Sequence, residues 1–143
     1  MQKIIIGNDH AGPEYVLEII SYLKNKNYEV EHVGSFGGKS VDYPDYAKKT
    51  GEKVVEENAL GIVICGTGIG ISIAANKVSG VICANCVSPY MAEMARKHNN
   101  ANIVALGARM IDIENAKIII DTFIKTEFEG GRHQNRVEKI HLI

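Results

Sequence analysis

Cys65 stands immediately before Gly66-Thr67-Gly68-Ile69-Gly70, where an apolar run gives way to an amphipathic one. Alternate glycines let the backbone approach a ligand closely and aim its N–H groups at an anion. A thiol beside a helix N-terminus is held toward its thiolate form and can serve as nucleophile or base. A plain tight turn and an inert buried cysteine remain the structural alternatives at this point. Asp9-His10 places a second pair of polar groups directly after an apolar run, and His98-Asn99-Asn100 follows an amphipathic one. The latter triplet also suits the C-terminus of a helix for structural reasons alone. Arg132 and Arg136 are four apart and so share one helix face, where two guanidinium forks suit a phosphate. Arg96 and Arg109 are the only other arginines. A solvated charged face is the competing explanation of the 132/136 pair.

Two nucleotide motifs fail on register. A dinucleotide fingerprint starting at Gly66 needs glycine at position 71, which is Ile71, and it belongs after the first strand. Gly38-Lys39-Ser40 would end a phosphate loop only with glycine at position 33, which is Val33. Cys83-Ala-Asn-Cys86 matches C-x-x-C, but Cys83 continues an apolar strand pattern, and no second ligand pair exists for zinc. These two are read as small core residues.

The elements that must position these groups alternate. Apolar strands are expected at Lys3–Ile6, Tyr28–Val33, Leu60–Cys65, Gly80–Ala84 and Asn102–Leu106. Helices are expected from Pro13 to Lys26, Asp45 to Asn58, Ile71 to Val78, Ser88 to about Lys97, Asp112 to about Lys125 and Arg132 to Ile140. Gly34 to Asp42 reads as a polar, glycine-rich loop. Strands that are apolar throughout, separated by helices, indicate a doubly wound α/β fold of Rossmann-like type. About five parallel strands would carry helices on both faces. Ligands of such sheets bind beyond the carboxyl ends of the strands.

The chain has 143 residues, which suits one domain spanning 1–143. Sixteen Lys+Arg against seventeen Asp+Glu argue against a nucleic-acid binder and against a polybasic membrane anchor. No apolar run is long enough to cross a bilayer, and the short N-terminal one does not make a signal peptide, so a cytoplasmic protein is expected. An odd count of three cysteines fits reduced thiols better than a disulfide framework. The residues therefore describe an enzyme for a small phosphorylated or acidic metabolite, with no motif for a metal or an organic cofactor.

Five segments carry a resemblance. Gly7-Asn8-Asp9-His10-Ala11-Gly12, Asp42-Tyr43-Pro44, the run Cys65 to Lys77, Arg96-Lys97-His98-Asn99 and Gly130 to Arg136 resemble ribose-5-phosphate isomerase of type B. That wider family also holds allose-6-phosphate and galactose-6-phosphate isomerases. The resemblance implies aldose–ketose isomerisation of ribose 5-phosphate and ribulose 5-phosphate in the pentose phosphate pathway, with no metal. It implies that Cys65 is the base moving a proton between C1 and C2. Gly66, Thr67, Gly68, Ile69 and Gly70 would hold the enediolate oxygens. His98 would open the furanose ring, with Asp9 assisting at the ring oxygen or hydroxyls. His10, Arg109, Arg132 and Arg136 would bind the phosphate, Asn99 the sugar, and Tyr43 would line the pocket. A helix from Pro89 to Lys97 rises about 13 Å away from the ligand edge, so one chain is not expected to bring Cys65 and His98 to the same sugar. A two-fold homodimer, or a higher homo-oligomer, with sites spanning the interface is expected, as the family also implies. A six-carbon substrate, a flavodoxin-like cofactor-binding module and a non-catalytic sugar-phosphate sensor are the alternatives.

Overall fold

β1 (Lys3–Asn8), β3 (Leu60–Cys65) and β5 (Ile103–Gly107) are buried along nearly their whole length. Such strands cannot face water on either side, so helices must cover both. The computed structural model describes residues 2–143, and it has that arrangement. With β2 (Glu29–His32) and β4 (Cys83–Asn85), the strands form one all-parallel sheet in the order β2-β1-β3-β5-β4. α1 (Pro13–Asn25), α4 (Pro89–Asn99) and α5 (Ile113–Lys125) bury Val16, Ile19, Ala92, Ile119 and Phe123 against Ile4, Ile6, Ile62, Ile64 and Val104 on one face. α2 (Tyr43–Glu57) and α3 (Ile69–Ala75) bury Ala47, Val54, Ile71 and Ala75 against Ile5, Val63, Ile103 and Ala105 on the other. Each fully buried Ile, Leu or Phe contributes about 1.5–3 kcal/mol, so the sheet's inner residues dominate the fold's stability. α6 (Arg132–His141) packs on α4.

The expected elements all exist, with shifted ends. α2 starts at Tyr43 rather than Asp45, because Pro44 fits the first turn, where its missing N–H goes unused. α3 starts two residues early, at Ile69, and stops at Ala75 rather than Val78. It stops there because the Asn76 side chain leaves the helix pattern. Its Nδ2 donates to Cys83 O at 2.8 Å and its Oδ1 accepts the Cys83 N–H at 2.7 Å. That two-way amide bridge also fixes where β4 begins, at Cys83 instead of Gly80. Gly80 itself sits at φ 89°, outside strand geometry.

The C-x-x-C pair is divided by the sheet. Cys83 lies in the α2/α3 core and Cys86 in the α1/α4/α5 core, and both are free thiols. Burial pushes the Cys83 thiol up to about 12 and the Cys86 thiol to about 11. Both are core residues, as the strand pattern predicts.

Candidate active site

The parallel register brings the carboxyl ends of β1, β3 and β5 together. Asn8 pairs with Ile64, and Cys65 with Gly107. Cys65 ends β3 almost fully buried, and the Gly68 N–H donates to its Sγ at 3.2 Å. Gly68 adopts φ 83°, which turns the chain sharply from β3 into α3. Close packing supports this turn from below. A Cβ on Gly107 would sit 2.5 Å from the Thr67 carbonyl, so β5 reaches the turn only as glycine. The Thr67 Oγ1 accepts the Ile69 N–H at 3.2 Å, leaving its hydroxyl proton free to donate.

Four further residues stand at this edge of the sheet. The Arg109 N–H bonds the Gly66 carbonyl at 3.0 Å, and its guanidinium lies over Gly66, 2.8 Å from where a Cβ would be. The Tyr43 ring covers Gly70 in the same way. Asp9 is buried, with its N–H on Ile64 O and its Oδ1 accepting the Ala11 N–H at 2.9 Å. The Val41 N–H donates to His10 Nδ1 at 3.0 Å. In the neutral ring this leaves the proton on Nε2, so His10 presents a donor.

Asn8, one of the residues at the strand carboxyl ends, supports this edge from within. It is fully buried, and its Nδ2 donates to the Asp9 and Ser35 carbonyls, both at 2.8 Å. Its Oδ1 meets His32 Nε2 at 2.7 Å. Burial holds the His32 imidazole below its ordinary range, so His32 is the neutral donor of that pair.

His98, Asn99, Arg132 and Arg136 are elsewhere. α4 runs back along the sheet from Ser88, whose Oγ caps it by accepting the Met91 N–H at 3.2 Å. It ends at Asn100, in the left-handed conformation (φ 50°), just before β5. Ile103 pairs with Gly61 at that end of β5, four residues before the Gly107–Cys65 pair. At about 3.3 Å per residue the two ends are about 13 Å apart. One chain therefore gathers Asp9, His10, Tyr43, Cys65, Gly66, Thr67, Gly68, Ile69, Gly70 and Arg109 at one edge. His98 and Asn99 lie at the other, with Arg132 and Arg136 on the helix packed against α4. Both α6 arginines are exposed and, among the described residues, form no ion pair. Arg96, in contrast, is structural: its Nε donates to Thr126 O at 3.0 Å and its Nη1 to Ala101 O.

At that second edge lies His133, which sequence reasoning did not single out. It is 5% exposed, and its ring stacks on His98 with centroids 4.2 Å apart and planes 14° from parallel. The signal was its i, i+4 spacing to Val137, which puts both on the inner face of α6. His98, Glu129 and His133 offer ligand atoms within 4.8 Å of one another. Stacked rings, however, aim their in-plane lone pairs side by side, so the pair does not converge on one metal ion. A groove of about 600 Å³ between α2 and α3, floored by Val55, Ala74 and Val78, contains none of the expected site residues.

A doubly wound parallel sheet with a thiol at a central strand end, under a glycine turn and an arginine, defines an α/β enzyme of small anionic metabolites. Comparison with known proteins narrows this class. The Ribose/Galactose Isomerase family model matches residues 4–140, and the chain belongs to that family. It is 44% identical to ribose-5-phosphate isomerase B of Escherichia coli K12, over 100% of this chain and 97% of the relative. It resembles the structure of Clostridium thermocellum ribose-5-phosphate isomerase B at 52% identity and a TM-score of 0.96, covering 99% of this chain and 96% of that one. The Mycoplasma genitalium ribose-5-phosphate isomerase B structure, which holds ribulose-5-phosphate, matches at 42% identity and TM-score 0.94, covering 98% of this chain and 94% of that one.

Proposed function

We propose that this chain interconverts ribose 5-phosphate and ribulose 5-phosphate through an enediolate, with the Cys65 thiol as base and without a metal. The observation that carries this is the Cys65 sulfur, placed at a buried strand end against the Gly68 N–H and next to the Gly66–Gly70 turn. A thiolate there takes the proton from C2 of the open-chain aldose and returns it to C1 of the enediolate. The turn's N–H groups and the Thr67 hydroxyl stabilise the oxygens on which charge develops, which is where fixed donors act most strongly. Before that step the furanose must open, and His98 moves a proton between the ring oxygen and the anomeric hydroxyl. Asp9 holds sugar hydroxyls beside the Cys65 end of the sheet. His10 and Arg109 grip the phosphate from that edge.

The remaining members, His98, Asn99, Arg132 and Arg136, act from a second copy of the chain. About 13 Å of β5 separates them from Cys65 within one protomer. A two-fold homodimer would bring the two edges together, and such dimers are the commonest oligomers. Its compartment is the cytoplasm. Three free cysteines accord with a reducing setting, and no helix among the described residues is long and apolar enough to cross a membrane.

The sheet order speaks against the flavodoxin-like alternative, whose strands run 2-1-3-4-5, since here β5 lies between β3 and β4. An isomerisation assay across five- and six-carbon aldose phosphates tests the substrate. Ribose 5-phosphate is expected to turn over fastest, and a preference for allose or galactose 6-phosphate would replace this reading. Dialysis against a chelator is expected to leave the rate unchanged; loss restored by zinc or manganese would overturn metal independence.

A further inference from the structure

We propose that His133 is a positioning residue: stacked on His98, it holds that imidazole in the orientation needed to open the sugar ring. This rests on His98 being the ring-opening group. His98 is the penultimate residue of α4, where a helix end frays and a partly exposed side chain samples several rotamers. Acid–base work at a ring oxygen needs one orientation, and loss of positioning by about 1 Å can cost about a hundredfold.

The structure supplies a clamp for that end. The segment after α5 is tied to the end of α4 by the Glu129 N–H on Lys97 O at 3.1 Å and by the Arg96 Nε bond to Thr126 O. α6 then brings in the His133 ring, buried and nearly parallel to His98. No described residue hydrogen-bonds His133 Nε2, and the nearest carboxylate oxygen, on Glu129, is 3.9 Å away. Nε2 of this buried histidine makes no hydrogen bond, whereas the ring's flat face lies against His98.

Its surroundings keep that face uncharged. Burial lowers the His133 pKa, as do the charges of His98 on α4 and of Arg132 and Arg136 on α6, with Glu129 on the preceding loop opposing them. A neutral ring tolerates His98 in either protonation state, and its π face favours the imidazolium. A charged neighbour would instead resist each protonation of His98 during turnover.

The test uses the full-length enzyme and compares isomerisation of ribose 5-phosphate with proton exchange on ribulose 5-phosphate. Ribulose 5-phosphate has its C5 oxygen esterified, so it cannot close a furanose, and it enters the reaction already open. His133→Leu fills the space without a flat ring. It is expected to lower kcat for ribose 5-phosphate about ten- to a hundredfold, to change its KM less than about threefold, and to leave exchange of the ribulose 5-phosphate C1 proton with solvent deuterium, which needs no ring step, within about threefold. His133→Phe keeps the stack and is expected to restore the aldose rate to within about threefold of wild type. His98→Asn, run alongside, is expected to show the same loss of isomerisation with proton exchange retained.

A His133→Leu rate equal to wild type beside a slow His98→Asn would overturn the positioning role while sparing His98's. A His133→Phe as slow as His133→Leu would overturn it by showing that the nitrogen matters. Equal loss of isomerisation and of C1 proton exchange would reduce the effect to general damage. A fully active His98→Asn would remove the reading beneath the proposal and so end both. Inhibition of wild type, but not of His133→Leu, by micromolar zinc would turn the cluster into a metal site instead.

Discussion

Cys65→Ala and His98→Asn should each give a nearly inactive homodimer, and mixing the two should bring activity back. The reason lies in the register of β5. Cys65 is level with Gly107, while α4 ends before Ile103, four strand residues away. At about 3.3 Å per residue the backbone separation is about 13 Å, longer than a ribose ring can bridge between a base and a ring-opening acid. If each site draws Cys65 from one protomer and His98 from its partner, a mixed dimer holds one site with both native residues and one with neither. Random reassortment after joint unfolding and refolding makes about half the dimers mixed, each with one working site of two. The pool should then recover about a quarter of wild-type activity. Ribulose 5-phosphate formation from ribose 5-phosphate is the readout, with native mass spectrometry of a tagged variant counting the mixed species. Mixed dimers that form in that proportion yet stay inactive would place Cys65 and His98 in one protomer and refute the reasoning.

Cys65→Ala alone should lower kcat about a hundredfold or more while the variant still binds ribose 5-phosphate in a calorimeter, because the side chain is small and its loss removes only the base. Near-native turnover would reassign the proton transfer. Arg136→Ala should raise the Michaelis constant about ten- to a hundredfold, since a charge-assisted hydrogen bond to phosphate is worth about 1.5–3 kcal/mol. An unchanged constant would leave Arg136 a solvated surface residue. Stability should respond to acid through His32. Burial lowers its folded pKa below the unfolded value near 6.5, so the unfolded chain binds more protons there. Its contribution is therefore complete above that value and is lost as pH falls through and below it. Thermal melting followed from pH 7.5 to 5.5 should show a smaller decline for His32→Gln, whose amide still donates to Asn8 Oδ1. A decline as steep as wild type would assign the acid sensitivity to another group.

The alternation of strands and helices was legible from local patterning, because a strand covered on both faces must be apolar throughout and a helix must carry a stripe. Ser88-Pro89 and Asp112 marked helix starts for the same local reason: a cap acts on N–H groups within three residues. Cys65 with its glycine turn, and the face shared by Arg132 and Arg136, were legible too, since turn geometry and helical spacing are properties of a short stretch of chain. The segments that resemble type B ribose-5-phosphate isomerases added the family, and with it the roles proposed for Asp9, His10 and His98.

Strand order was not legible in this way. β5 enters between β3 and β4, a choice made by long crossovers whose endpoints no local pattern encodes. The start of β4 depended on Asn76 bridging to Cys83, seven residues on and in another element. The His98–His133 stack joins residues 35 positions apart through the packing of α6 on α4. That Cys65 and His98 stand at opposite edges followed from a helix running back from Pro89 to Lys97, and the folded register sets the distance between the two ends. Periodicity tells which face of an element is buried, whereas the partner it is buried against, and the distance between two buried ends, are set by the packing of the whole sheet.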